Sequence, residues 1–205
     1  DNFVTTTEGY DIFFQGDTTF TNAVTFQNGG TLDLGNGVND DITFNGGGTA
    51  NNGGFVTIDG RIISSDDAIS FGNVRFGQST SITSAGGAIS IGNITGFGSN
   101  RDVTITSTGG TANTVTVGAI GGSGNINAVA ITSGTLTTLN GNITTNDTSG
   151  NTVTLVGTTT NGANITIDTN NTNNDGAINI AAFSSSNNNL ALDSGTADIN
   201  LSGAA

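Results

Sequence analysis

Two stretches, AISFGNV at 68–74 and AISIGNI at 88–94, decide the reading of this chain. In each, an apolar–polar–apolar triplet (Ile69/Phe71, then Ile89/Ile91) alternates with the two-residue period of a β-strand. Working outward, the unit returns as TVTVGAI at 114–120, TLTTLNGNI at 135–143, TVTLVG at 152–157 and GAINIAAF at 176–183. The inward pairs are Val115/Val117, Leu136 with Leu139, Val153/Leu155 and Ile178/Ile180, and first members lie 20, 26, 21, 17 and 25 residues apart. A second strand recurs inside each unit: SITS at 81–84, VTIT at 103–106, AVAIT at 128–132, NITID at 164–168 and LALD at 190–193. Turn clusters such as Ala85-Gly86-Gly87 and Thr108-Gly109-Gly110 separate the strands. No stretch carries the 3.6-residue period of a helix, so the chain is all β.

Short strands at regular spacing fit a sandwich as well as a solenoid. Successive units here resemble one another at about 22 residues, which a sandwich does not require. A solenoid does, because each coil rests on an equivalent coil and the same inward positions stack. The expected form is a right-handed parallel β-helix of about nine coils, roughly 40 Å long at ~4.8 Å per strand level. Its core is thin, with Phe44, Phe71, Phe76, Phe97 and Phe183 expected at the wider corners.

The first 67 residues are less regular, and seven of the eleven Phe lie before residue 56 together with the only Tyr. Residues 1–40 read as an N-terminal cap or as docking strands, and 41–205 as solenoid repeats. A cap would shield the end coil from edge-to-edge pairing. A docking segment would add to the open end of a neighbour, with Phe3, Tyr10, Phe13 and Phe14 as assembly residues. The chain starts at Asp1 and holds no Met, which suggests a processed product or a piece of a longer protein.

Gly, Asn and Thr make up nearly half the chain, while only 9% of residues are charged and the formal net charge is −13. Three Arg and no Lys or His leave little to neutralise phosphates, which argues against a nucleic-acid partner. No apolar run approaches the ~20 residues of a membrane-spanning helix. The adjacent acidic pairs Asp40-Asp41 and Asp66-Asp67 have no His or Lys beside them, so no acid–base centre is expected and the chain is not read as an enzyme. Divalent cations are the more plausible charged ligands. Ca²⁺ takes six to eight oxygens, and the turns at 33–41 and 170–175 offer Asp33, Asp40, Asp41 and Asp175 as candidate ligands. The nonapeptide pattern of calcium-binding β-rolls and the EF-hand loop are both missing, and no cofactor is required. Outward Thr114/Thr116, Thr135/Thr137 and Thr152/Thr154 are placed to align on three consecutive coils, although Ala68/Ser70, Ala88/Ser90 and Ala177/Asn179 interrupt the ladder.

The run of AISIGNI, DVTITSTGGTANTVTVGAIGG, AVAITSGTLTTLNGNITT and NTVTLVG resembles the β-strand-repeat regions of filamentous-haemagglutinin-like surface proteins, over roughly residues 64–201. It is similar above all to the giant Gly/Thr/Asn-rich proteins of cyanobacteria and other Gram-negative bacteria. The resemblance implies export to the cell surface, a parallel β-helix, and a place in adhesion, matrix or filaments. The expected function is a structural subunit of an extracellular filament or sheath, binding copies of itself end to end. The alternative is an adhesin stalk or a module that binds surface glycans.

Overall fold

The computed structural model describes residues 3–51, 54–98, 100–122, 125–145, 150–170 and 174–203, and these contain strands but no helix. Three strands make a coil. The first coil is β1 (Phe3–Val4), β2 (Ile12–Phe14) and β3 (Thr18–Phe20). The second is β4 (Val24–Phe26), β5 (Leu32–Leu34) and β6 (Asp41–Phe44). Then come β7 (Gly48–Ala50), β8 (Val56–Ile58) and β9 (Arg61–Ser64), followed by β10 (Ile69–Phe71), β11 (Val74–Phe76) and β12 (Thr80–Ser84). The fifth coil holds β13 (Ile89–Ile91), β14 (Ile94–Gly96) and β15 (Arg101–Ser107). Beyond it run β16 (Thr114–Val117), β17 (Ile126–Leu139), β18 (Ile143–Thr144) and β19 (Val153–Asn161). The chain ends with β20 (Ile165–Asp168), β21 (Ile178–Phe183), β22 (Leu190–Asp193) and β23 (Ile199–Leu201).

The three strands of a coil lie on three faces, called A, B and C in the order the chain visits them. Each strand pairs in parallel with its equivalents above and below, as in β4 with β7, β5 with β8 and β6 with β9. From Phe3 to Phe183, face A passes through about eight turns, a rise of roughly 40 Å at ~4.8 Å per level. The architecture is the expected parallel β-helix. Residues before position 41 contribute β1 to β5, which pair in the same parallel register as the strands that follow.

Stacked ladders hold the coils together. On face B the inward column is Ile12, Leu32, Val56, Val74, Ile94, Ile120, Ile143, Ile167 and Leu192. On face C it runs Ile42, Ile62, Ile82, Ile105, Ile131, Leu155 and Ile180, all nearly or fully buried. Burying each of these aliphatic side chains is worth ~1.5–3 kcal/mol relative to leaving it exposed, and close stacking adds dispersion. The first coils are filled by rings instead. Phe3, Phe14, Phe20 and Phe26 meet with centroids 5.2–6.4 Å apart, and Phe44 and Phe71 continue the cluster inward. Where the Phe20–Phe44 column ends, Ser64, Ser84, Ser107 and Ser133 replace it, all buried. The hydroxyls of Ser64 and Ser107 donate to the carbonyls of Asp67 and Gly87, tying each strand end to the turn beside it.

The step that follows face A explains the recurring Gly-Asn. Asn73 Oδ1 accepts the Asn93 N–H at 2.9 Å, and Asn93 Oδ1 accepts the Ala119 N–H at 2.9 Å, so each corner satisfies a donor of the next. Coils approach closely there: a Cβ at Gly92 would stand 2.8 Å from Asn73 Oδ1 and 2.9 Å from the Gly72 carbonyl.

Three expectations are corrected. Each coil has three strands, not two, and the two repeating series cross over after residue 140. Val153/Leu155 and Ile178/Ile180 stack on Val129/Ile131 of face C, whereas NITID and LALD belong to face B. Leu136 is not the inward partner of Leu139. Val115 and Val117 lie beside Thr137 and Leu139, so Thr137 points into the core and the proposed Thr135/Thr137 outward pair is not formed. Phe44, Phe71 and Phe76 are buried and Phe183 is half-buried, but Phe97 is 60% exposed. With Ile94 inward, strand parity sends Phe97 to the outside.

Candidate functional site

The outward column of face B begins Phe13, Asp33, Thr57, Arg75 and Thr95, one residue per level. Strand alternation puts these side chains outside because their neighbours Leu32, Val56 and Val74 are held in the core. Asp59 joins from the corner after β8 and Arg101 from the start of β15. Thr95 excepted, these residues line, together with Thr31, Gln78 and Phe97, an open cleft of about 550 Å³. A second depression, of about 510 Å³, lies beside β4, but its lining of Thr, Gln, Asn, Gly and one Phe contains no charged group.

Arg75 organises the cleft. Its guanidinium carbon sits 4.6 Å from the Phe97 ring centroid and 5.4 Å from that of Phe55. An arginine held between two aromatic faces gains ~0.5–1 kcal/mol or more per contact and loses rotational freedom. One terminal nitrogen donates to Thr57 Oγ1 at 3.3 Å. Its Nε is buried without a hydrogen-bond partner, and so is Asp33 Oδ1. Arg101 is fixed through Nε, which donates to the Phe97 carbonyl at 3.0 Å. Burial, then the nearby charge of Asp33, raises the Asp59 carboxyl above its ordinary range, while Arg101 and Arg75 pull it back. Two of the chain's three Arg therefore stand among carboxylates on one stretch of one face. A carboxyl group with a raised pKa, beside a second carboxylate, two guanidiniums and exposed rings in one cleft, is the kind of arrangement that makes a candidate binding site.

The residues singled out from sequence are distributed differently. Of the four candidate calcium ligands, Asp33 lines this cleft. Asp40 caps its own turn, accepting the Asn36 N–H at 2.7 Å. Asp41 pairs with Arg61 at 2.6 Å on the exposed surface. Asp175 accepts the N–H and hydroxyl of Thr196 at 2.6 and 2.7 Å, six levels further along, about 29 Å away. These four are not brought together, and no group of three or more carboxylates converges among the described residues. Part of the second candidate turn, 171–173, lies outside them.

Among the assembly residues, Phe3 and Phe14 share the ring cluster of the first coil. Tyr10 stays on the surface, where its hydroxyl accepts the Thr6 N–H at 2.9 Å. Phe13 points the opposite way, into the cleft. Sequence reasoning missed Phe55, Asp59, Arg75, Phe97 and Arg101. The signal that finds them is strand parity counted from the buried ladder residues.

Comparison with known proteins returns no matching family model, no similar curated protein and no similar solved structure.

Proposed function

We propose that this chain is a structural rod, a subunit of an extracellular filament in which solenoids join end to end. One observation carries the reading: every coil rests on the next in parallel register, and the first and last described coils leave apolar side chains exposed. At one end β1 exposes Phe3 and Val4, 45% and 56% accessible, over the Phe14–Phe20–Phe26 cluster. At the other, Ile199 and Leu201 of β23 are 43% and 56% accessible, beside half-buried Leu190, Leu192 and Phe183. Because all pairing between coils is parallel, the last coil of one copy meets the first coil of the next with its strands running the same way. Such a contact is head-to-tail and never closes on itself, so it propagates as a fibre. The resemblance of the repeats to filamentous-haemagglutinin-like surface proteins supports a place outside the cell.

Negative-stain electron microscopy tests this with the chain and with the double substitution Ile199→Asp, Leu201→Asp. Uniform long rods are expected for the first and single short rods for the second. Short rods for both, or long rods for both, would reject end-to-end assembly.

A further inference from the structure

We propose that the face B cleft is a binding site for an extended, neutral oligosaccharide lying along the rod axis. The inference is independent of end-to-end assembly, since the cleft lies on the side of the rod over the first five levels.

The chemistry of the lining selects the ligand class. Asp33 and Asp59 offer acceptors, Arg75 and Arg101 offer donors, and Thr31 and Thr57 offer both. Sugar hydroxyls are donors and acceptors at once and answer all three. Phe13 and Phe97, 55% and 60% exposed, present ring faces whose negative quadrupole suits the C–H face of a pyranose. Arg75 lies over the Phe97 ring, which is still 60% exposed.

The arrangement also discriminates. Two carboxylates and two guanidiniums give the cleft no formal net charge, which favours a neutral ligand over a uronate. The order ring, carboxylate, hydroxyl, guanidinium along Phe13, Asp33, Thr57 and Arg75 puts acceptors and donors on successive levels. A peptide adding as a strand is disfavoured because β5, β8 and β11 are already paired on both sides. Positions recur every ~4.8 Å, so a chain of linked rings meets a new polar group at each level. The buried, unpartnered Asp33 Oδ1 and Arg75 Nε line the same strip.

The test is calorimetric titration of the intact chain with neutral hexose and N-acetylhexosamine tetramers, with uronate tetramers and a zwitterionic dipeptide as contrasts. At least one neutral tetramer should bind, and more tightly than its monosaccharide. Phe97→Ala and Arg75→Gln should each weaken it by about tenfold or more, the loss expected for a stacked or charge-assisted contact. Thr116→Ala, on face A, should leave it unchanged. Phe97 is exposed enough that its variant folds, which an unchanged thermal midpoint would verify. The proposal is overturned if no neutral tetramer binds, or if neither cleft variant weakens binding. Preferential uptake of the uronate or the dipeptide, or cleavage of the bound tetramer, would equally overturn it.

Discussion

Asp59 leaves β8 at the corner between faces B and C, and its surroundings set a pH signature that can be read in the whole fold. Burial and the charge of Asp33 raise its carboxyl above the ordinary value of 3.8, against the pull of Arg101 and Arg75. A raised acid holds its proton in the fold at a pH where the unfolded chain has lost it. Between the ordinary and the raised value the folded state thus binds more protons, and stability falls as pH rises through that window. Asp59→Asn keeps the shape and removes the charge. Its thermal midpoint should equal or exceed that of the parent above the window, with a shallower decline as pH rises from the ordinary carboxyl value of 3.8. The same substitution removes a ligand acceptor, so stability and oligosaccharide affinity should move in opposite directions. Parallel midpoint curves for the two proteins would show that Asp59 carries no such burden. The other acidic groups titrate in both, so the difference between the curves isolates this one.

At the scale of the element, β17 shows how a strand can override the preference of a residue. It runs from face C to face A around Ser133, Gly134 and Thr135, and β19 makes the same bend at Gly157 with φ +94°. Once Leu139 is held in the core, alternation forces Thr137 inward, next to Val115 and Thr159. Thr137 and Thr159 are fully buried, and neither hydroxyl has a hydrogen-bond partner. Val has the same shape without the hydroxyl, and an unsatisfied buried hydroxyl costs about 1–3 kcal/mol. Thr137→Val should raise stability by ~1 kcal/mol, a midpoint shift of roughly 2–4 °C, measured by thermal or denaturant unfolding. A loss of stability would mean that the hydroxyl does find a partner. These merged strands also explain what the sequence hid. Where Gly-rich turns separate the faces, as at 84–89, the period and inward residues were legible without coordinates. Past residue 126 the bend between faces C and A shrinks to between one and three residues, so two strands read as one and the third face disappeared. The cleft was less legible still. Phe13, Asp33, Thr57 and Arg75 are spaced by 20, 24 and 18 residues, a column no fixed period finds. Phe13 and Asp33 were noticed singly, for other roles, because only stacking makes them neighbours.

The whole molecule combines exposed apolar side chains on its first and last described coils with a strongly acidic wall, and in the proposed assembly the two would act oppositely. Sixteen acidic residues face three Arg; Arg61 is paired with Asp41, and the other two sit in the face B cleft. Most of the wall thus carries negative charge that no cation of the chain offsets. In the proposed joint like faces stack, so Phe3 and Val4 of β1 would meet the Ala182–Phe183 end of β21 on face A, Ile199 and Leu201 of β23 would meet β3 on face C, and the acidic walls of the two copies would come within reach of one another. Screening shrinks from ~10 Å at 0.1 M salt to ~3 Å at 1 M, whereas apolar contact is not weakened by NaCl. Fibre formation followed by light scattering should therefore accelerate with rising NaCl, and more steeply near the concentration where single rods predominate. A joint built on ion pairs would do the reverse and dissolve in salt. Calcium separates a third case, because a cation that bridges copies acts beyond screening. CaCl₂ and NaCl at equal ionic strength should give the same rate if screening of the acidic wall is the whole effect. An excess in calcium, reversed by chelator, would place Asp side chains of neighbouring copies on a shared ion and make the joint partly ionic.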